Sequence, residues 1–283
     1  MSDTYLPEAL VLGPGGLRGY LELGALRYLE SRGHLRNVKK FVGCSIGSII
    51  SLLLVLGYRV QDIIVDAVKV NLFRCVDQFS ITKSKDYVGI ISNDIPREFL
   101  EHAVKKKCAG SIPSLINLFR LFGRELITTS VNLSRMETVY FSKDATPDLS
   151  CIDAVLLSIN IPLLFYRLLY QGDVYVDGAF RDPYPVSCVD DQNTSVLGIY
   201  ILISPTPTTE LEVGDYCYRI VQLPIDALYE IKRKSASAKC RHLLIRTDHI
   251  DVTGVTYTKD DIVNMIVIGY NDAKTFILQD DPV

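Results

Sequence analysis

The sequence has no CxxC pair, only four histidines, and no excess of basic charge. Its seven cysteines are an odd, dispersed set, which suits reduced thiols and argues against a disulfide framework. Without His or Cys in ligand-like spacing a zinc site is not expected, and no carboxylate cluster resembles a calcium loop. Lys plus Arg number 30 against 33 Asp plus Glu, for a net charge of −3. A dedicated nucleic-acid binder would carry a basic domain, so nucleic acid is not the expected partner. The N-terminus lacks a basic segment followed by an apolar run, so no secretory signal is expected. Residues 41–58 form an uncharged stretch near the ~18-residue length of a membrane span, but glycines and serines interrupt it. The expectation is a soluble or membrane-peripheral protein, cytoplasmic or at a membrane surface.

The chain has 283 residues, of which 48% are hydrophobic and 22% charged, enough to bury a core without staples. Residues 8–13 read as a buried strand, 20–32 as a helix stopped by Gly33, 38–43 as a second strand, and 46–56 as a helix apolar on every side. Strand, helix, strand, helix with short connections predicts an α/β fold, a three-layer α/β/α arrangement around a mostly parallel sheet. Helical patterns dominate 60–122, interrupted at Lys83 to Lys85 and at Lys105 to Lys107. Strands return at 125–133, 138–141, 174–177 and 196–203, with a helix at 150–158. Residues 215–238 read as a helix broken near Pro224, and a final helix starts at a cap formed by Thr258 and Asp261. With no repeat and no linker, we expect one domain over 1–283: a core of about 8–205, a helical insertion of about 60–122, and a C-terminal extension of about 206–283.

Three segments carry chemistry. Gly43-Cys44-Ser45-Ile46-Gly47 sits between strand and helix, the pattern of a nucleophile elbow. The turn lifts the Ser45 hydroxyl above the sheet at a helix N-terminus, while Gly43 and Gly47 let neighbouring backbone approach. Gly13-Pro14-Gly15-Gly16-Leu17-Arg18-Gly19 follows the first strand and can aim successive N–H groups at an anion. A dinucleotide loop counted from Gly13 would need glycine at Arg18, and a P-loop would need Gly-Lys-Ser/Thr. An oxyanion hole remains, as does a glycine-rich connection with no ligand. The third segment, Tyr175-Val176-Asp177-Gly178-Ala179, is a turn by itself and a candidate general base beside an activated serine.

In this order the three segments resemble the patatin-like phospholipase family. Its glycine loop corresponds to Pro14 to Gly19, its Gly-x-Ser-x-Gly to Gly43 to Gly47, and its Asp-Gly-Gly/Ala to Asp177-Gly178-Ala179. Thr128-Thr129-Ser130-Val131-Asn132-Leu133 and Ile161-Pro162-Leu163-Leu164-Phe165 add to the resemblance, which covers about 8–190. It implies a metal-independent serine acyl hydrolase needing no cofactor and acting on membrane or micellar glycerolipid esters, phospholipids or their relatives. Ser45 would be the nucleophile and Asp177 the proton acceptor. Gly15, Gly16 and Leu17 would form the oxyanion hole, and Arg18, Gly19, Gly43, Gly47, Gly178 and Ala179 would support the motifs. Pro14 replaces the loop's first glycine and removes one donor.

Three other readings stand beside this one. An α/β-hydrolase would use a Ser–Asp–His triad with His242 or His249, although the elbow follows only the second strand. A catalytically silent lipid-binding protein would keep the fold, with Pro14 in its favour. A nucleotide-binding protein is weakened by the glycine spacing. Lys232, Arg233, Lys234, Lys239 and Arg241, beside Leu228 and Ile231, read as a solvated face or as contacts to anionic headgroups. Leu115, Leu118, Phe119, Leu121 and Phe122 read as an interfacial lid or a core-facing helix.

Overall fold

The computed structural model describes residues 5–70, 89, 91–203, 209–211, 213–247 and 257–279. The Lys83 to Lys85 interruption and His249 lie outside the described residues. The opening unit is β1 (Ala9–Leu12), α1 (Gly19–Ser31), β2 (Lys40–Cys44) and α2 (Ile46–Val55). Every residue of α2 is buried, as its all-round apolar sequence predicts. This short helix is a core element, and among the described residues no helix is long and apolar enough to cross a membrane. The stretch that follows contributes α3 (Val60–Val70), α4 (Asp94–Lys107) and α5 (Leu115–Phe122). Leu115 and Leu118 of α5 are buried while Asn117, Arg120 and Leu121 are exposed, so the apolar side of α5 faces the core.

The chain continues through β3 (Glu125–Asn132), β4 (Glu137–Phe141), α6 (Cys151–Ser158), β5 (Leu168–Tyr170) and β6 (Asp173–Asp177). It ends with β7 (Val196–Leu202), α7 (Val213–Ser235), β8 (Cys240–Arg246) and α8 (Lys259–Leu278). Among the described residues eight strands form one sheet in the order β5-β6-β3-β2-β1-β7-β8, with β4 paired to β3. Strands β3, β2, β1, β7 and β8 are mutually parallel, and β4, β5 and β6 are antiparallel additions. Helices flank this sheet in the expected layered α/β arrangement.

One reading is corrected. Helix α7 is not broken at Pro224 but runs through it. Proline removes the hydrogen bond to the carbonyl four residues back, that of Ile220, and both residues lie on the exposed side of the helix. Water can satisfy that carbonyl there, and the buried Ile225 and Tyr229 hold the helix to the core. The capping box at Thr258 and Asp261 is present as read.

Candidate active site

Strand register brings Ser45 and Asp177 together. Strand β4 occupies Thr128 to Asn132 along one edge of β3. The other edge is shared: β2 pairs with Glu125 to Thr129, and antiparallel β6 pairs with Ser130 to Asn132. Cys44 pairs with Thr129 and Asp177 with the adjacent Ser130, so the two strands end facing each other. The residues that follow or complete those ends are Ser45 and Asp177. Two positions far apart in sequence thus meet through one strand that neither belongs to.

The elbow is strained and tightly framed. Ser45 has φ 56° and ψ −128°, a conformation that costs a non-glycine residue about 1–3 kcal/mol. A Cβ on Gly43 would collide with the Ser48 backbone, and one on Gly47 would lie 2.6 Å from the Leu12 carbonyl. One on Gly178 would collide with the Thr129 carbonyl. These glycines allow β1, β2, β3 and the turn after β6 to close around the serine. The Ser45 N–H donates to Ser158 Oγ at 3.2 Å, and Ser158 and Ser48 hydroxyls share a 2.6 Å bond.

Asp177 is 2% exposed, and its Oδ1 accepts the Ala179 N–H at 2.9 Å. Burial pushes its carboxyl up to about 6, opposed by hydrogen bonding from the Ser45 side chain and from the Ala179 amide. Its own N–H donates to the Asn160 carbonyl at 2.8 Å, and Asn160 Nδ2 donates to the Tyr175 carbonyl. Ser130 Oγ reaches the carbonyls of Leu157 and Val176, tying α6 to β6 behind the pair.

The glycine loop lies between β1 and α1. Gly16 takes φ 53° and opens a single 3-10 turn over Gly16–Arg18, in which the Arg18 N–H reaches the Gly15 carbonyl at 3.0 Å. The amides of Gly16 and Leu17 head that turn, where a helix leaves its donors without intrahelical acceptors. Residues 14–17 are half-buried between the buried Gly13 and Arg18. Gly15 and Gly19 are needed for packing, since a Cβ on either would come within 2.7 Å of Ile201 or Ile46. Arg18 donates to Tyr218 of α7 at 2.6 Å, with its guanidinium 5.5 Å from that ring's centre.

The motifs locate Ser45, Asp177, Gly15, Gly16 and Leu17 but not the residues that brace them. Ser158, Asn160, Tyr218 and Ile225 belong to no motif. Ile225 of α7 packs with Cys44 and Ala179, the neighbours of Ser45 and Asp177. Asp182, 1% exposed, accepts from Tyr140 and pairs with Lys232 at 3.1 Å, fixing α7 a second time. Ser158 and Asn160, polar positions at the end of the apolar α6 and ahead of β5, were the one available signal for this bracing. His242 is elsewhere: its Nδ1 is 2.7 Å from the Tyr184 hydroxyl. Lys232 and Arg233 are likewise engaged, by Asp182 and Glu230. Among the described residues no group of three or more His, Cys, Asp or Glu side chains is placed to hold a metal ion.

A family model described as patatin-like phospholipase matches residues 10–189, more than half of the chain. Over 181 residues the sequence is 27% identical to the probable lipid hydrolase 463L of Invertebrate iridescent virus 6, covering 63% of this chain and 62% of that protein. Over 193 residues it is 28% identical to the uncharacterized protein R571 of Acanthamoeba polyphaga mimivirus, covering 67% and 64%. The chain thus matches less than two thirds of the length of either curated relative. Its fold is similar to VipD from Legionella pneumophila, with TM-score 0.60 and 17% identity over 96% of this chain and 67% of VipD. It is also similar to the ExoU–SpcU complex from the type III secretion system of Pseudomonas aeruginosa, with TM-score 0.60 and 17% identity over 97% and 52%.

Proposed function

The chain belongs to the patatin-like phospholipase family, and on that premise we propose that it is a serine acyl hydrolase cleaving fatty-acyl esters of phospholipids or related glycerolipids. Ser45 Oγ attacks the ester carbonyl carbon while its proton passes to Asp177. The oxyanion formed is held by N–H groups of Gly15, Gly16 and Leu17, each such donor being worth ~10²–10³ in rate. The tetrahedral intermediate collapses, and the departing alcohol takes the proton back from Asp177. Water, deprotonated by the same carboxylate, then releases the fatty acid from Ser45. No histidine and no metal enters these steps.

The observation that supports this reading is the buried Asp177 carboxyl facing the Ser45 hydroxyl, with its pKa pushed up to about 6. At pH 7 such a group is charged yet a far stronger base than an ordinary aspartate. Contact with a lipid surface fits α7, where Ile220, Leu223 and Ile231 are exposed on the same helix that presents Ile225 to the site. The test is a panel of phospholipids and neutral glycerolipids assayed in chelator, with wild type, Ser45→Ala and Asp177→Asn. The expected result is wild-type hydrolysis unaffected by chelator and background rates in both folded variants. Wild-type turnover in either variant would refute the dyad.

A further inference from the structure

A cavity of about 210 Å³ between α3 and α4 serves no step of the proposed chemistry. Its floor is apolar, made by Leu53 of α2, Ile63 of α3, and Phe99 and Ala103 of α4. Tyr58 closes one side. Its hydroxyl is taken up by the Ala103 carbonyl at 2.9 Å, so it offers the interior a ring and no free donor. The mouth is charged: Lys69, His102 and Lys106 stand there in solvent beside one acid, the half-buried Asp66. Neither lysine has an ion-pair partner among the described residues. Asp62, close enough to Lys106 to feel its charge, is engaged by Arg59. Lys107 adds another ammonium, 4.5 Å from the Tyr58 ring centre. Leu53, Ile63 and Phe99 also wall a narrow space that leads to Gly16 and Ile46 at the glycine loop. That space holds about 30 Å³, the share of a single water, so a ligand in the cavity stops at those three side chains and does not reach Ser45.

We propose that this cavity binds a small amphipathic carboxylate at a site separate from the catalytic one: the apolar body lies on the floor, and the carboxylate stays at the mouth with Lys69 and Lys106. The volume sets the size. At ~30 Å³ per water-sized group the cavity takes about seven carbon atoms, a phenyl ring with a methyl group or a chain of five or six carbons. The charges set the sign. A carboxylate is costly to bury, but here only the body leaves water, and the head meets lysines that outnumber the single acid. A neutral alcohol of the same size gains the floor but not the mouth, and an amine meets the lysines as a like charge. The site stands whether or not Ser45 hydrolyses esters. Because its walls come from α2, α3 and α4 together, it exists only in the native protein, and its ligand raises the melting temperature.

The test is calorimetric titration of the full chain with hexanoate, 4-methylbenzoate, hexanol and hexylamine, before and after Ser45 is capped by a dodecyl fluorophosphonate. At least one carboxylate should bind tenfold more tightly than hexanol or hexylamine, the better of the two telling an alkyl from an aryl body. Capping Ser45 should leave that binding unchanged. Lys69→Glu and Lys106→Glu, both at exposed positions, should weaken the carboxylate at least fivefold and leave hexanol as it was. Ala103→Leu, checked for a native melting transition, should weaken every ligand at least tenfold. Binding lost on capping would put the ligand in the catalytic site and overturn the proposal. So would a wild type that binds neither carboxylate or prefers the alcohol or the amine, or charge-reversed variants that bind as wild type does. A chain that takes no fluorophosphonate yet binds the carboxylate through Lys69 and Lys106 would refute the hydrolase reading and leave this site standing.

Discussion

Asp177→Asn is expected to make the protein inactive and, at neutral pH, more stable. A carboxyl whose ordinary value is 3.8 and which burial pushes up to about 6 carries about 3 kcal/mol against its charged form, at ~1.4 kcal/mol per pH unit. Because the folded-state value lies above the unfolded one, the native protein holds this proton more tightly than the unfolded chain does. Wild-type stability from this group is therefore fully present below pH ~4 and falls as pH rises to about 6. Asparagine keeps the shape and an oxygen to accept the Ala179 N–H, and removes the buried charge. Its extra N–H must find a partner near Ser45, and an unsatisfied donor costs ~1–3 kcal/mol, so the net gain is about 0–2 kcal/mol at pH 8. For a chain of this size that is a rise of up to several degrees in Tm.

The assay is urea unfolding of wild type and Asp177→Asn at intervals from pH 4 to 8, with the difference plotted against pH. Glu22, Glu125 and Asp226 are also pushed up by burial, but they titrate in both proteins and drop out of the difference. The difference should shift in favour of the variant by about 2–3 kcal/mol from pH 4 upward and level off above about pH 6. Over the same range wild-type kcat/KM should fall on acidification through about pH 6, as the proton acceptor fills. A difference that does not change between pH 4 and 7 would refute the assignment of a costly buried carboxylate at this position.

Two further outcomes follow from the elbow. Ser45→Gly should unfold at a higher urea concentration than Ser45→Ala, by about 1 kcal/mol. Glycine relieves the strain of φ 56° and ψ −128°, which exceeds its own entropy cost in the unfolded chain; equal midpoints would mean that no strain is stored there. Ser158→Ala orphans the Ser45 N–H and the Ser48 hydroxyl, and should cost about 1–3 kcal/mol and lower kcat more than it changes KM. Loss of stability with kcat intact would make Ser158 a packing residue only.

Elements whose pattern is local were legible in the sequence. The buried helix α2 announces itself by apolar residues on every side, and the strand-turn-helix around Ser45 by glycines at the two positions where a Cβ would strike backbone. The meeting of Ser45 and Asp177 was legible only through the order of the motifs. Its physical cause, two strands sharing one edge of β3, is a long-range register that no local periodicity records. Bracing residues were illegible for the same reason: Ser158 and Tyr218 acquire their roles from partners distant in the chain. Pro224 shows the opposite failure, a strong local signal overruled because Ile225 and Tyr229 are anchored in the core and the lost bond faces water.

The segment beyond the family match is tied to the site through α8. A Cβ on Gly24 of α1 would collide with the Ile266 backbone of α8, and one on Gly269 of α8 would collide with the Leu21 carbonyl. Two glycines facing in this way let the helix backbones approach more closely than any side chain would permit. Helix α1 starts at Gly19, directly after the turn that carries the Gly16 and Leu17 amides, so a displaced α1 moves the proposed oxyanion donors with it. Gly269→Val should therefore lower the melting temperature, since overpacking costs ~1–3 kcal/mol. It should also reduce kcat beyond what instability explains, because a shift of about 1 Å at reacting groups can cost ~10²-fold. Differential scanning calorimetry and turnover measured well below the transition separate the two effects. Native melting with wild-type turnover in Gly269→Val would show that α8 can be moved without disturbing the loop.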